Sequence, residues 1–373
     1  GDADMPVSCA VIAAAIEKMA PLTMAESWDN VGLLVGCADR LVERALLTVD
    51  VTPPVIEEAI KLGATMLIAH HPFPFQALKR LQTDTETGAM LSRLLKHDIA
   101  VYAAHTNLDM ADGGINTALA KTLRLTDVQP LRPYRESLVK IVVYVPAGHE
   151  DAVRSAMSEA GAGHIGNYSD CSFRTTGLGT YKPLAGSRPF LGELAKLSTV
   201  EEIRLETVAP EKLLKEVIQA MLDAHPYEEV AYDVLPLRNT HIEGGLGRIG
   251  CLEKEVRLSD FAEEVKQTLA VSGLRVYGSA ETRIRRVAVC GGAGMDCASV
   301  AVAAGAAVLV TGDIRYHDAQ AALSQGLCLI DAGHFATEYP GMVELGSRLR
   351  RIAAKAEWDV DFHVAQCQTD IYW

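Results

Sequence analysis

The chain carries one pattern twice: an apolar strand ending in metal-type polar residues, a helical stretch, then a second apolar strand ending in more of them. The first copy is MLIAHHPFPF (66–75) followed by IAVYAAHTNLDMADGG (99–114). The second is VLVTGDIRYH (308–317) followed by LCLIDAGHFATE (327–338). Alternating strand and helix restricts such a chain to an α/β architecture with mainly parallel, helix-covered sheets. Sheets of this kind place their chemistry at the carboxyl ends of the strands. His, Asp and Glu gathered there make a metal centre the leading reading.

The rest of the pattern sets the domain plan. Residues 8–20 read as an amphipathic helix, ALLTVDVTP (45–53) as a strand leading into a helix through Lys61, and 88–97 and 113–123 as further helices. The character changes near LRPYRES (131–137). From there the order is strand (137–146), helix (149–162), a Gly- and Pro-rich stretch (175–192), strand (200–210), helix to about 223, and strand (228–237). That succession is read as the β-α-β-β-α-β order of the ferredoxin-like arrangement, with one of its four strands not assigned to residues. After HIEGGLGRIG (241–250) the α/β pattern resumes through 286–294, 296–305, 316–326 and a long helix at 337–355. The expected plan is therefore a duplicated α/β body, 5–133 and 243–373, interrupted by an inserted α+β domain, 134–242.

Length and composition agree. At 373 residues the chain exceeds one ordinary core, and 49% hydrophobic with 22% charged residues is the balance of a soluble globular protein. No apolar run approaches the ~20 residues of a membrane span. A net charge of −13 offers no basic face, so nucleic acid is not an expected partner. Eight cysteines without a CxxC pair read as reduced thiols in a cytoplasmic protein. The opening GDADMP has no apolar signal region, and Gly1–Asp4 are set aside from the fold argument.

Five residues carry the metal reading: His70, His71, Asp109, His334 and Glu338. Neighbouring side chains on a strand point to opposite faces. His70 and His71 therefore serve two ions, or need a backbone twist to serve one. His334 and Glu338 are four apart and share a face if a helix begins there, which Pro340 permits in a first turn. Three imidazoles and two carboxylates suffice for two divalent ions if a carboxylate bridges, and such pairs lie ~3.5–4 Å apart and activate water for hydrolysis. Mixed N and O donors suit Zn²⁺, Fe²⁺ or Mn²⁺ rather than Ca²⁺. His105 and His317 are expected close by, as hydrogen-bonding partners, proton donors or further ligands.

HHPFPFQALKR, AHTNLDMADGGINTALA, TGDIRYHDAQAALSQG and IDAGHFATE closely resemble the signature segments of the NIF-three-like family, the GTP cyclohydrolase 1 type 2 homologues. SWDNVGLLVG (27–36) resembles the family's N-terminal segment. Position by position, the resemblance implies His70, His71, Asp109, His334 and Glu338 as ligands of a dinuclear site, and a toroidal homohexamer. The middle module resembles the CutA/PII-like insertion of the longer members, chiefly through HPYEEVAYDVLPL (225–237); His225 and Glu228 there read as loop and strand edge rather than ligands.

The family label implies hydrolytic ring opening of GTP aided by metal. The residues themselves contain no GxxxxGK[ST] or GxGxxG phosphate loop, and CGGAG (290–294) reads as a tight βα connection. Two functions follow as expectations: a metal-dependent hydrolase of a nucleotide or related small molecule, or a non-enzymatic metal-binding regulatory protein that forms a ring.

Overall fold

A computed structural model describes residues 6–166 and 168–371. The chain divides into two compact units, Gly1–Tyr134 with Glu243–Trp373, and Arg135–Ile242. In chain order the elements begin with β1 (Val7–Ser8), α1 (Cys9–Met19), β2 (Gly32–Val35), β3 (Leu41–Val42), β4 (Arg44–Thr48), α2 (Pro53–Leu62), β5 (Met66–Ala69), α3 (Glu86–Lys96) and β6 (Ala100–Ala103). Then follow α4 (Thr106–Met110), α5 (Ile115–Thr122), β7 (Thr126–Pro146), α6 (Glu150–Glu159), β8 (Ser172–Tyr181), β9 (Ser198–Pro210), α7 (Leu214–Ala224) and β10 (Tyr232–Arg257). The chain closes with α8 (Leu258–Thr268), β11 (Arg275–Tyr277), β12 (Arg283–Val289), α9 (Ala298–Ala303), β13 (Val308–Thr311), α10 (Tyr316–Ser324), β14 (Cys328–Asp331), α11 (His334–Ala356) and β15 (Asp361–Val364). Among the described residues no helix is long and apolar enough to cross a membrane.

The larger unit holds two sheets of related design. In one, β4, β5 and β6 run parallel with β15 beside β4 and antiparallel β2 beside β6. In the other, β12, β13 and β14 run parallel, flanked by antiparallel β10 and β11. All four residues of β5, β6, β13 and β14 are buried, as strands covered by helices on both faces require. On one face of the first sheet Ile12 and Ile16 of α1 and Leu345 and Leu349 of α11 pack with Leu47, Ile68 and Tyr102. On the other, Val55, Ile56 and Ala59 of α2 and Leu91 and Leu94 of α3 pack with Leu46, Leu67 and Val101. Each fully buried Leu or Ile contributes roughly 1.5–3 kcal/mol. The second sheet repeats the scheme, with α5 and α8 on one face and α9 and α10 on the other.

The local signals explain the elements. Pro53 and Pro54 open α2, where a missing N–H costs nothing, and Gly63 ends it at φ 70°. Thr85 caps α3 by accepting from the Gly88 N–H at 3.2 Å. The helix α8 lies in a stretch for which the sequence suggested no element. Its buried Leu258, Phe261, Ala262 and Val265 recur at helical spacing.

In the smaller unit β7 pairs with β9, and β9 with β8, all antiparallel. Val139, Ile141, Val143 and Val145 alternate into a core closed by Val153 and Met157 of α6 and Val217 and Met221 of α7. The Gly-rich stretch after Asp170 forms β8, where Gly177 and Gly179 sit in an extended edge strand rather than a loop.

Candidate metal centre

The candidate site stands at the carboxyl ends of the parallel strands of the larger unit. β5 delivers His70 and His71, β6 leads into α4 with Asp109, and β14 leads into α11, whose first residue is His334. Because α11 begins there, His334 and Glu338 share a face, with Nε2 and Oε1 3.1 Å apart. Glu338 Oε1 is also 3.4 Å from His70 Nε2, and its Oε2 is 3.2 Å from His71 Nε2. Asp109 Oδ1 lies 3.6 Å from His70 Nε2, and the Nε2 atoms of His71 and His334 are 3.3 Å apart. Strand alternation does not separate the paired histidines, because β5 ends at Ala69 and both rings lie beyond it.

Each imidazole is oriented from behind. His70 Nδ1 donates to the Ala104 carbonyl at 2.8 Å, His71 Nδ1 to Asp50 Oδ1 at 2.7 Å, and His334 Nδ1 to Asp313 Oδ2 at 2.6 Å. A proton held on Nδ1 leaves the Nε2 lone pair free, the tautomer a metal ligand needs. Asp50 and Asp313 were not singled out in the sequence, yet each is a polar residue just past a strand end, as the ligands are.

The turn after β12 closes the site. Gly292 has φ 65°, and a Cβ there would lie 2.3 Å from Glu338 Oε1 and 3.1 Å from His334 Nε2. Its N–H donates to Thr337 Oγ1 at 2.9 Å. Buried Asn116 donates to the Asp109 carbonyl at 2.9 Å and accepts from Gly291 N–H at 2.8 Å, tying the two halves of the body together. The CGGAG turn thus serves close approach to Glu338.

His105 joins the cluster: it, His70 and His71 each offer one ligand atom, all within 4.8 Å of one another, and His71, His334 and Glu338 form a second such group. Its Nδ1 is held at 2.9 Å by Asp29 Oδ1. His317 is not brought in. It is exposed on α10, its Nδ1 paired with Gln320 at 3.2 Å. In the smaller unit, His225 Nε2 donates to the Tyr144 carbonyl at 3.0 Å, and Glu228 accepts from the Arg188 N–H at 2.6 Å.

Burial and charge oppose one another here. Burial disfavours protonated His70, but Glu338 and Asp109 prevail and raise its pKa. Burial likewise works against His71, yet Asp50 and Glu338 lift it to about 10. The Glu338 hydrogen bond, offset by burial, holds His334 at about 9. Glu338 is burdened by burial, but the surrounding histidines keep it well below the usual carboxylate range. Burial raises Asp109. Among the described residues, the buried His70 Nε2, Asp109 Oδ1 and Glu338 Oε2 of this cluster have no hydrogen-bond partner. Orphaned polar atoms are costly unless something pairs with them, and a cation between them does so. The cluster can hold a metal ion.

The sequence profile of the Duf34/NIF3 (NGG1p interacting factor 3) family matches residues 7–371. The chain belongs to the Duf34/NIF3 family. Among its Duf34/NIF3 relatives, a Bacillus subtilis protein named GTP cyclohydrolase 1 type 2 homolog is 47% identical over 321 residues, 86% of each chain. One of the same name from Halalkalibacterium halodurans is 43% identical over 357 residues, 95% of each chain. A solved NIF3-related structure from Bacillus cereus superposes with a TM-score of 0.81 at 43% identity over 98% of both chains. A Staphylococcus aureus structure gives 0.81 at 30% identity over 99% of both. The duplicated α/β body is therefore a Duf34/NIF3 fold.

Proposed function

We propose that the chain binds two divalent cations, Zn²⁺, Fe²⁺ or Mn²⁺, and acts as a metal-dependent hydrolase of a nucleotide or related small molecule. The observation that carries this reading is the convergence of three oriented imidazoles on the buried Glu338 carboxylate, with Asp109 Oδ1 3.6 Å from His70 Nε2 and partnerless buried atoms among them. His70 with Asp109, and His71 with His334, would hold the two ions, and Glu338 lies within 3.1–3.4 Å of all three imidazoles and would serve both. Bound ions would supply Lewis-acid polarisation of a substrate oxygen and of water.

The chain's own residues do the rest. Asp50, Asp313 and the Ala104 carbonyl fix three ring planes, so the donors are organised before a ligand arrives. His105, oriented by Asp29, would hold or accept a proton at the substrate. The relatives' name, GTP cyclohydrolase 1 type 2 homolog, supports a nucleotide as the substrate class. Metal-loaded protein assayed against GTP and other nucleotides tests this: turnover that disappears in Glu338→Gln is expected, and no turnover with any of the three metals would overturn the hydrolase.

A second reading, a non-enzymatic metal-binding protein in a hexameric ring, draws support from Phe173, Leu178, Leu184 and Leu197. These apolar side chains of the smaller unit are all exposed. Its β-α-β-β-α-β succession supports an inserted ferredoxin-like module. Sizing with and without a chelator separates the readings: the second requires metal-dependent assembly.

A further inference from the structure

Two large aromatic rings stand exposed at the mouth of the metal cluster, and the catalytic reading leaves them without a task. Trp28 is 62% exposed and Phe75 52% exposed. Both approach His105 edge-on, with ring centroids 5.9 and 6.0 Å away. His105 in turn lies 5.2 Å from the ring of His70 and 5.3 Å from that of His71. A continuous path of rings therefore runs from solvent to the donor atoms.

The pair is held in place. The Asp29 side chain, 1% exposed, accepts from His105 Nδ1–H at 2.9 Å, from Thr106 N–H at 3.0 Å and from the Thr106 hydroxyl. That anchors the residue beside Trp28. The Asn30 side chain donates to the Pro74 carbonyl at 3.1 Å, anchoring the residue before Phe75 to the same loop. Yet the two rings do not satisfy one another. Their centroids are 6.4 Å apart and their planes tilted by 35°, so neither face is covered flush by the other. Exposed aromatic faces, pre-positioned by buried hydrogen bonds beside a metal cluster, are suited to stack a flat ring carried by the molecule that reaches the metals.

We infer that Trp28 and Phe75 form a stacking platform for a planar heteroaromatic ring of the nucleobase class, with His105 between that ring and the metal-binding side chains. This rests on the proposed metal site and names what the site selects. Aromatic stacking is tolerant of which base is presented, so the platform selects for a flat ring rather than for one base.

Calorimetric titration of the zinc-loaded full chain with guanosine 5′-monophosphate and, separately, ribose 5-phosphate tests it. The two probes share the sugar phosphate and differ in the ring. The wild-type protein is expected to bind the nucleotide at least about tenfold tighter. Trp28→Ala should bring the two affinities together at unchanged zinc content, Phe75→Ala should do so in part, and Trp28→Phe should restore most of the difference. Equal affinities in the wild type, or a difference untouched by Trp28→Ala and Phe75→Ala, overturn the platform. Failure of the metal site itself reads out separately, as absence of bound zinc in the wild type before any titration.

Discussion

His71 Nε2 and Glu338 Oε2 stand 3.2 Å apart although they come from opposite halves of the duplicated body. Neither half owns the site. The first sheet supplies the paired histidines, the second supplies the helix that begins at His334, and the Gly292 turn lets the two approach. Perturbing any of these contacts has a defined consequence.

Asp50 and Asp313 act through His71 and His334 without facing the donor cluster. Asp50→Ala and Asp313→Ala should each weaken zinc binding about 10–100-fold while the fold persists. Competition against a chelating dye measures this, and wild-type affinity in both variants would contradict the orienting role.

Metal uptake should release protons. Before an ion binds, the pKa of His71 is raised to about 10 and that of His334 to about 9, so both rings are protonated at pH 7. An ion needs the Nε2 lone pair, so affinity must fall as pH falls and protons must appear in solution on binding. Zinc titration in weak buffer with a pH indicator should show acidification, steeper at pH 6 than at pH 10. No proton release would mean that the rings are neutral beforehand.

Asp29 tests the support beneath His105. Its burial opposes ionisation, but hydrogen bonds from His105 and Thr106 prevail and lower its pKa to about 2. A depressed carboxyl contributes stability that is present above the unfolded value near pH 4 and is lost as pH falls through about 2. Asp29→Asn should cost on the order of 1–2 kcal/mol at pH 6, and the gap from wild type should narrow between pH 5 and pH 2. Urea unfolding at several pH values reads this directly.

Gly292→Ala should empty the site without unfolding the chain. The added methyl would meet Glu338 Oε1 at 2.3 Å, at a backbone φ of 65° that favours glycine. Expected are a loss of about 1–3 kcal/mol by denaturant melt and a marked drop in bound zinc. Unchanged zinc content would show that the turn tolerates displacement.

Much of this was legible in the residues. β5, β6, β13 and β14 announce themselves as short apolar runs because every residue in them is buried. The four-residue spacing of His334 and Glu338 puts them on one face of a helix that begins there, as α11 does. What escaped depends on tertiary placement. Asp50, Asp313 and Asp29 look like ordinary loop acids until folding sets each behind a particular histidine. His317 lies just past a strand end in the pattern, but α10 presents it to solvent. For His70 and His71 alternation alone does not fix where the rings point, because the strand stops one residue earlier. The stretch 175–192 hid part of β8, since two glycines mask an extended edge strand.

The most direct measurement is the number of zinc ions retained per chain after equilibrium dialysis, in wild type and in Glu338→Gln. About two are expected in the wild type and a loss affecting both in the variant, because Glu338 reaches both donor sets. Wild-type protein that retains none, or a variant that retains the full complement, would contradict it.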